Sequence, residues 1–134
     1  MGSSRFPGKP LSEIAGIPMI GHVYHRSKLC NSLSELYVAT CDKEIYDYVL
    51  SINGKAIMTA DSHERASDRS SEAMYKIENL TGKLVDIMVM IQGDEPMISP
   101  EMIDVAVEPL INDFTIGVSN LISVCRPILQ GLFL

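Results

Sequence analysis

Two short stretches carry most of the chemistry open to this chain. "MIQGDEP" ends an apolar run in Gln92-Gly93-Asp94-Glu95-Pro96 and so sets two carboxylates side by side. Paired carboxylates are hard oxygen donors of the kind Mg2+ takes, the remaining ligands coming from water and substrate phosphates. Gly93 lets backbone approach a ligand closely, and Pro96 fixes the exit of the loop. Asp94 can equally cap a turn. "MGSSRFPGKPL" offers the opposite charge: Arg5, Lys9, the hydroxyls of Ser3 and Ser4, and a flexible backbone at Gly2. Phosphate oxygens want that combination of a guanidinium fork, a point charge and close backbone donors. No GxxxxGK[ST] pattern is present, so this is not a Walker loop. A plain surface loop, or a scar at the N-terminus, has a similar composition.

A third stretch, "TADSHERASDRSSEA", gathers His63, Glu64, Arg65 and Arg69 around a helix start. Donors converging there suit a sugar or a carboxylate, helped by the helix dipole. The alternatives are a solvent-facing His63 without a role, and an Arg69 that forms surface ion pairs with Asp68 and Glu72. His22 and His25 lie three apart on a predicted helix but have no third metal ligand near them. One partly buried and one exposed histidine is the expectation there.

The bulk composition narrows the classes. The chain has 134 residues, 46% hydrophobic and 21% charged, which fits one globular domain with a real core. Its net charge of −6 argues against a nucleic-acid footprint or a basic membrane-surface stripe. Any anion site must therefore be local, built by a few placed cations. No apolar run reaches the roughly 20 residues of a membrane span and no signal peptide is evident, so a cytoplasmic protein is expected. Cys30, Cys41 and Cys125 form no CxxC pair and are read as reduced thiols. The eight methionines are read as core filler.

Elements must position these loops. Pro18–Leu29 reads as a helix with Pro18 in its first turn. A short strand follows at Leu36–Ala39, then Asp42 as N-cap of a helix over "KEIYDYVLS". Asn53-Gly54 stops that helix and "KAIMT" is a strand. Ser67 is expected to cap a helix over Asp68–Asn79, ended by Thr81-Gly82. "DIMVMIQ" reads as a strand buried on both faces of a parallel sheet. Ser99-Pro100-Glu101 opens another helix, and "FTIGVSNLISV" is a last strand candidate. Helices alternating with strands predict an α/β sheet with helices on both faces and a site beyond the carboxyl ends of its strands.

In this order, "SSRFPGKPL", "PMIGHV", "YVAT", "HERASDR" and "QGDEP" resemble the 3-deoxy-manno-octulosonate cytidylyltransferases (CMP-KDO synthetases) and the similar acylneuraminate cytidylyltransferases. The resemblance runs from Gly2 to about Ser123. It implies a three-layer α/β/α nucleotide-diphospho-sugar transferase (Rossmann-like) fold, here incomplete. It also implies a CTP-dependent enzyme that passes CMP to an acidic, KDO-like sugar and releases pyrophosphate, in lipopolysaccharide or surface-polysaccharide precursor synthesis. By that resemblance Arg5 and Lys9 are triphosphate-binding cations, with Ser3 and Ser4 assisting. Asp94 is the Mg2+ ligand and, with those two cations, the catalytic set; Gln92, His63 and Arg69 face nucleotide and sugar. The implied partners are CTP and a sugar acid, with no nucleic acid and no membrane.

The chain departs from the pattern in places. Arg65 stands in His63-Glu64-Arg65-Ala66-Ser67 where the resemblance implies a small residue in a His-x-Ser-Gly-Thr stretch. Cys41 separates Thr40 from Asp42, where an Ala-Thr-Asp loop is implied. An apolar strand is implied ahead of the Ser-rich loop, and a second half with another metal-binding Asp and the dimer-forming segment is implied after it. The expectation is therefore a partial cytidylyltransferase domain over 1–124 with an atypical tail over 125–134. Such a truncated product would be inactive alone, lack the homodimer segment, and leave its opening loop without a brace. The alternatives are a non-catalytic nucleotide-binding remnant and a cytidylyltransferase for another nonulosonic, sialic-acid-like sugar.

Overall fold

A computed structural model describes residues 8–122. Arg5, Ser3, Ser4 and Cys125 therefore lie outside the described residues, as do the last two positions of the "FTIGVSNLISV" candidate. The chain begins with a 3-10 turn over Lys9–Leu11, then strands β1 (Glu13–Ile14) and β2 (Ile17–Pro18) and helix α1 (Met19–Ser27). Strand β3 (Val38–Thr40), helix α2 (Lys43–Ser51) and strand β4 (Ala56–Met58) follow, then helices α3 (Ala66–Thr81) and α4 (Pro100–Asn112).

The β3-α2-β4 unit forms as its sequence predicts. Asp42 sits in extended backbone and its carboxylate accepts from the Glu44 N–H at 2.8 Å, satisfying one of the orphan donors of α2. Its own N–H donates to Thr40 Oγ1 at 3.0 Å, which binds the cap to the end of β3. Helix α2 ends at Ser51; two residues on, Asn53 lies in left-handed backbone (φ 56°), and Gly54 N–H donates to the Val49 carbonyl at 2.8 Å. A Cβ at Gly54 would lie 2.8 Å from that same carbonyl oxygen, so only glycine fits. The chain then returns as β4, parallel to β3 with Val38 opposite Ala56 and Thr40 opposite Met58. A parallel pair needs a crossover, and α2 is that crossover.

Two apolar clusters hold the frame. Ile20, Ile45 and Val49 form one, with Leu11, Val38, Tyr48 and Ala56 packed on it. Cys30, Ile103 and Val107 form the other, joined by Leu33, Ile87, Val89, Ile91 and Ile98. A carboxylate ties the second cluster together: Asp104 Oδ1 accepts from Ser32 Oγ at 2.5 Å, Ser32 N at 3.3 Å and Cys30 Sγ at 3.1 Å. The Ser32 hydroxyl first, then the Cys30 thiol, hold this carboxyl below its ordinary range.

Several expectations need correction. "DIMVMIQ" belongs to no ladder among the described residues. From Val85 to Gly93 its burial alternates: Ile87, Val89 and Ile91 face the second cluster while Met88 and Met90 are exposed. It has the period of an extended chain packed on one face only. "FTIGVSNLISV" likewise forms no strand over its described part, which is largely exposed. The described methionines are not core filler: none is among the buried apolar residues, and Met58, Met88, Met90, Met97 and Met102 are exposed.

Helix α3 starts at Ala66 with Arg65 before it and no side-chain cap, instead of being capped by Ser67. Its start is set by tertiary contacts of Arg69 and Glu72, described below. The hairpin β1-β2 has no counterpart in the sequence reading. Its two turn residues, Ala15 (φ 52°) and Gly16 (φ 79°), both lie in left-handed backbone, and alanine there gives no turn signal.

Candidate active site

The opening loop is braced within its described part, contrary to the expectation of a loop with nothing to hold it. Gly8 adopts φ 75°, which starts the 3-10 turn, and Leu11 N–H closes it on the Gly8 carbonyl at 3.0 Å. Leu11 then packs on the first cluster, and Met19 N–H donates to the Ser12 carbonyl at 2.9 Å across the hairpin. Lys9 is thereby presented on a closed turn whose next residue, Pro10, has no N–H to leave unsatisfied.

The second loop is presented by the extended 85–93 segment. Glu95 N–H donates to the Gln92 carbonyl at 3.3 Å and Ile98 N–H to the Glu95 carbonyl at 3.0 Å, so Gln92–Ile98 is two linked turns. Gly93 abuts α1: a Cβ there would sit 3.0 Å from Ile20 Cδ1. Ser99 then caps α4, accepting from Met102 N–H at 3.4 Å, with Pro100 and Glu101 in the first turn.

These two loops meet. Lys9 Nζ donates to Asp94 Oδ2 at 2.6 Å, joining residues 85 positions apart, and both side chains remain open to solvent. Glu95 and Gln92 flank the pair and are exposed. Among the described residues no group of three or more His, Cys, Asp or Glu side chains converges as a closed metal cage.

The third stretch folds into a separate knot at the carboxyl end of β4. Arg69 is buried; its Nη1 donates to Thr59 Oγ1 and, at 3.2 Å, to the Ala60 carbonyl. It makes no surface ion pair with Asp68 or Glu72. Its Nη2 is also buried and finds no hydrogen-bond partner among the described residues. His63 Nε2 pairs with Glu72, which also accepts from Ala60 N–H at 3.0 Å and from Lys76 Nζ at 2.7 Å. Thr59 in turn donates its N–H to the Thr40 carbonyl at 2.9 Å, so the knot sits beyond the ends of both parallel strands. His22 belongs to neither group; its ring meets the Ile14 carbonyl at 2.7 Å, and His25 is exposed. A groove of about 830 Å³ runs between α3, α4 and the 83–91 segment, lined by Ala73, Ile77, Val89 and Val107. It holds none of Lys9, Asp94, His63 or Arg69.

A family model described as "Cytidylyltransferase" matches residues 1–126. The chain belongs to the cytidylyltransferase family. It is 43% identical over 119 residues to the 3-deoxy-manno-octulosonate cytidylyltransferase of Geobacter metallireducens, covering 89% of this chain and 44% of that one. It is 42% identical over 120 residues to the enzyme of that name from Escherichia coli, covering 90% and 46%. To an 8-amino-3,8-dideoxy-manno-octulosonate cytidylyltransferase of a Shewanella species it is 46% identical over 113 residues, covering 84% and 43%. A solved structure, CMP:2-keto-3-deoxy-manno-octonic acid synthetase complexed with CTP, superposes with a TM-score of 0.77 at 44% identity. That match covers 84% of this chain and 44% of the other. The chain thus spans under half the length of the curated relatives it matches, and its α/β frame is an incomplete cytidylyltransferase fold.

Within this cytidylyltransferase chain, sequence reasoning missed Glu72, Thr59 and Asp104. Glu72 had one local signal, its i,i+4 spacing to Lys76. Asp104 had none, because its partners lie more than 70 residues away. Glu72 also gives the site a pH signature. Lys76 first, then His63 and the Ala60 N–H, hold its carboxyl down at about 2. A carboxyl depressed on folding stabilises fully above its unfolded value near 4.5 and loses that contribution as pH falls towards 2. Glu72→Gln is therefore expected to melt lower than the parent above pH 4.5, the two curves converging as pH falls towards 2. Melting temperatures across that range check this, and a constant gap would contradict it.

No helix of the described residues is long and apolar enough to cross a membrane.

Proposed function

We propose that this chain is the nucleotide-binding part of a CTP-dependent transferase that passes CMP to a 3-deoxy-octulosonate sugar acid and releases pyrophosphate. One observation carries the reading: Lys9 and Asp94, from loops 85 residues apart, meet at 2.6 Å on a cytidylyltransferase frame. A triphosphate needs cations, and its counter-ion needs carboxylates; that pair brings one of each to a single solvent-open point.

The residues fit Mg2+. Asp94 and Glu95 are exposed hard-oxygen donors, the ligand type of an ion that takes one or two carboxylates and fills its other places with water and phosphate. When bound, Mg2+ would be held by Asp94, with Glu95 beside it, and would supply charge neutralisation at the phosphates. At rest Lys9 and Asp94 neutralise each other; with nucleotide present, Lys9 turns its ammonium to phosphate oxygens, joined by Arg5 and the hydroxyls of Ser3 and Ser4. A sugar hydroxyl then attacks the α-phosphorus in line. The new O–P bond forms as the bond to the β-phosphate bridge breaks, and the hydroxyl proton leaves to solvent. The protein's part is positioning and charge stabilisation.

Arg69 and His63 face the base or sugar side. The buried, unpartnered Nη2 of Arg69 supports this, since a buried donor without a partner is costly and a ligand oxygen would satisfy it. The 46% identity to the 8-amino-sugar enzyme of Shewanella favours that amino sugar as a second candidate acceptor.

The test is a chimera in which residues 1–122 replace the matching part of the Escherichia coli relative. Pyrophosphate release with CTP, Mg2+ and either KDO or its 8-amino analogue supports the reading and names the acceptor. CTP binding without turnover on any sugar acid would favour a non-catalytic nucleotide-binding role.

A further inference from the structure

Helix α1 touches the Asp94 loop at both ends. At the entry, Gly93 lies against Ile20, so closely that a Cβ would meet Ile20 Cδ1 at 3.0 Å. At the exit, the partly buried Arg26 donates its Nε–H to the Ile98 carbonyl at 2.5 Å. Ile98 is itself joined to Glu95 by a 3.0 Å backbone bond, and Glu95 to Gln92 by one of 3.3 Å. Holding the Ile98 carbonyl therefore holds a chain of two turns that ends beneath the two carboxylates. Ile98 also packs on the second cluster, which fixes the far side of the same turn. A fourth restraint, Lys9 on Asp94, is the one that opens when phosphate arrives if Lys9 is the phosphate cation proposed above.

We infer that Arg26 is a positioning residue for the Asp94-Glu95 pair, keeping the carboxylates in place through the Ile98 carbonyl once Lys9 has left Asp94. This rests on the reading of Asp94 as the cation ligand. Arg26 touches neither of the two carboxylates among the described residues, so its effect travels through backbone. An ammonium can replace the guanidinium donor at this single acceptor, whereas a thioether of similar length keeps the packing of the stem and loses the bond.

Mn2+ titrated into the 134-residue chain in the presence of CTP and followed by electron paramagnetic resonance, with a protein-free Mn2+–CTP titration subtracted, reads cation binding at the loop. Arg26→Met is expected to weaken Mn2+ by about tenfold, the lower end for residues that orient ligands from behind. Arg26→Lys should stay within about twofold of the parent, and CTP affinity without metal should be unchanged in both. Hydrogen exchange at Glu95 and Ile98 should rise in Arg26→Met alone. A merely structural tie between α1 and the loop would lower the melting temperature of Arg26→Met and leave Mn2+ affinity as in the parent. Parent-like Mn2+ affinity with normal CTP binding overturns the positioning role and leaves the site reading standing. A parent chain that binds no CTP overturns the site reading, and this role with it.

Discussion

Asp94→Asn is expected to lower CMP transfer by two to three orders of magnitude in the chimera, with almost no change in stability. The size follows from removing one preorganised electrostatic element where charge develops, which costs about 100- to 1,000-fold. Asparagine keeps the shape of the side chain and one oxygen but loses the charge a divalent cation needs. Stability should hardly move because Asp94 is solvent-exposed and its pair with Lys9 is open to water. Such exposed pairs contribute about 1 kcal/mol at most. Pyrophosphate release beside a thermal melt reads both quantities. A variant with parent-like turnover would remove Asp94 from the catalytic set, and one that melts far lower would make it a structural residue.

Ile103→Ala carries the largest expected loss of stability, about 2–5 kcal/mol. Ile103 is 2% exposed and sits at the centre of the second cluster. Its loss leaves a cavity against Cys30, Val107 and the inner face of the 85–93 segment. Native domains hold only about 5–15 kcal/mol in total, so this is a large share. Because Ile87, Val89, Ile91 and Ile98 rest on that cluster, the Asp94 loop should loosen before the chain unfolds globally. Met90→Ala, on the exposed outer face of the same segment, should change stability by about 0.5 kcal/mol at most. Urea midpoints followed by circular dichroism compare the two. Equal midpoints would mean that the segment is not seated on the cluster through its inner face.

What the residues make legible is local. The caps at Asp42 and Ser99, the helix stop at Asn53-Gly54 and the pairing of two short strands across a helix follow from chemistry within a few positions. The start of α3 does not. Ser67 looks the better cap, yet among the described residues its hydroxyl meets only its neighbour Asp68 at 3.5 Å, while Arg69 and Glu72 anchor the helix to Thr59 and Ala60. Tertiary contacts outweigh a cap that is typically worth about 1 kcal/mol. The apolar run of 85–93 is legible as extended chain but not as ladder, since a strand is completed by its neighbours and none pairs with it among the described residues.

The candidate site divides the same way. Charge type picks out Lys9 and Asp94 separately, and the resemblance of the motifs assigns them to one site. Their contact depends on a hairpin whose Ala15-Gly16 turn is silent in sequence. Arg69 is legible as a donor near a helix start, but its burial against Thr59 is not, because a charged residue is seldom so enclosed.

The most direct test of the central claim, that Lys9 and Asp94 are the two halves of one triphosphate and cation site, is calorimetric titration of CTP with Mg2+ into the chimera and its Lys9→Met variant. A charged hydrogen bond to phosphate is worth about 1.5–3 kcal/mol, so the variant should bind CTP about 10- to 150-fold more weakly and CMP equally well. Equal affinity of parent and variant for CTP would contradict the account.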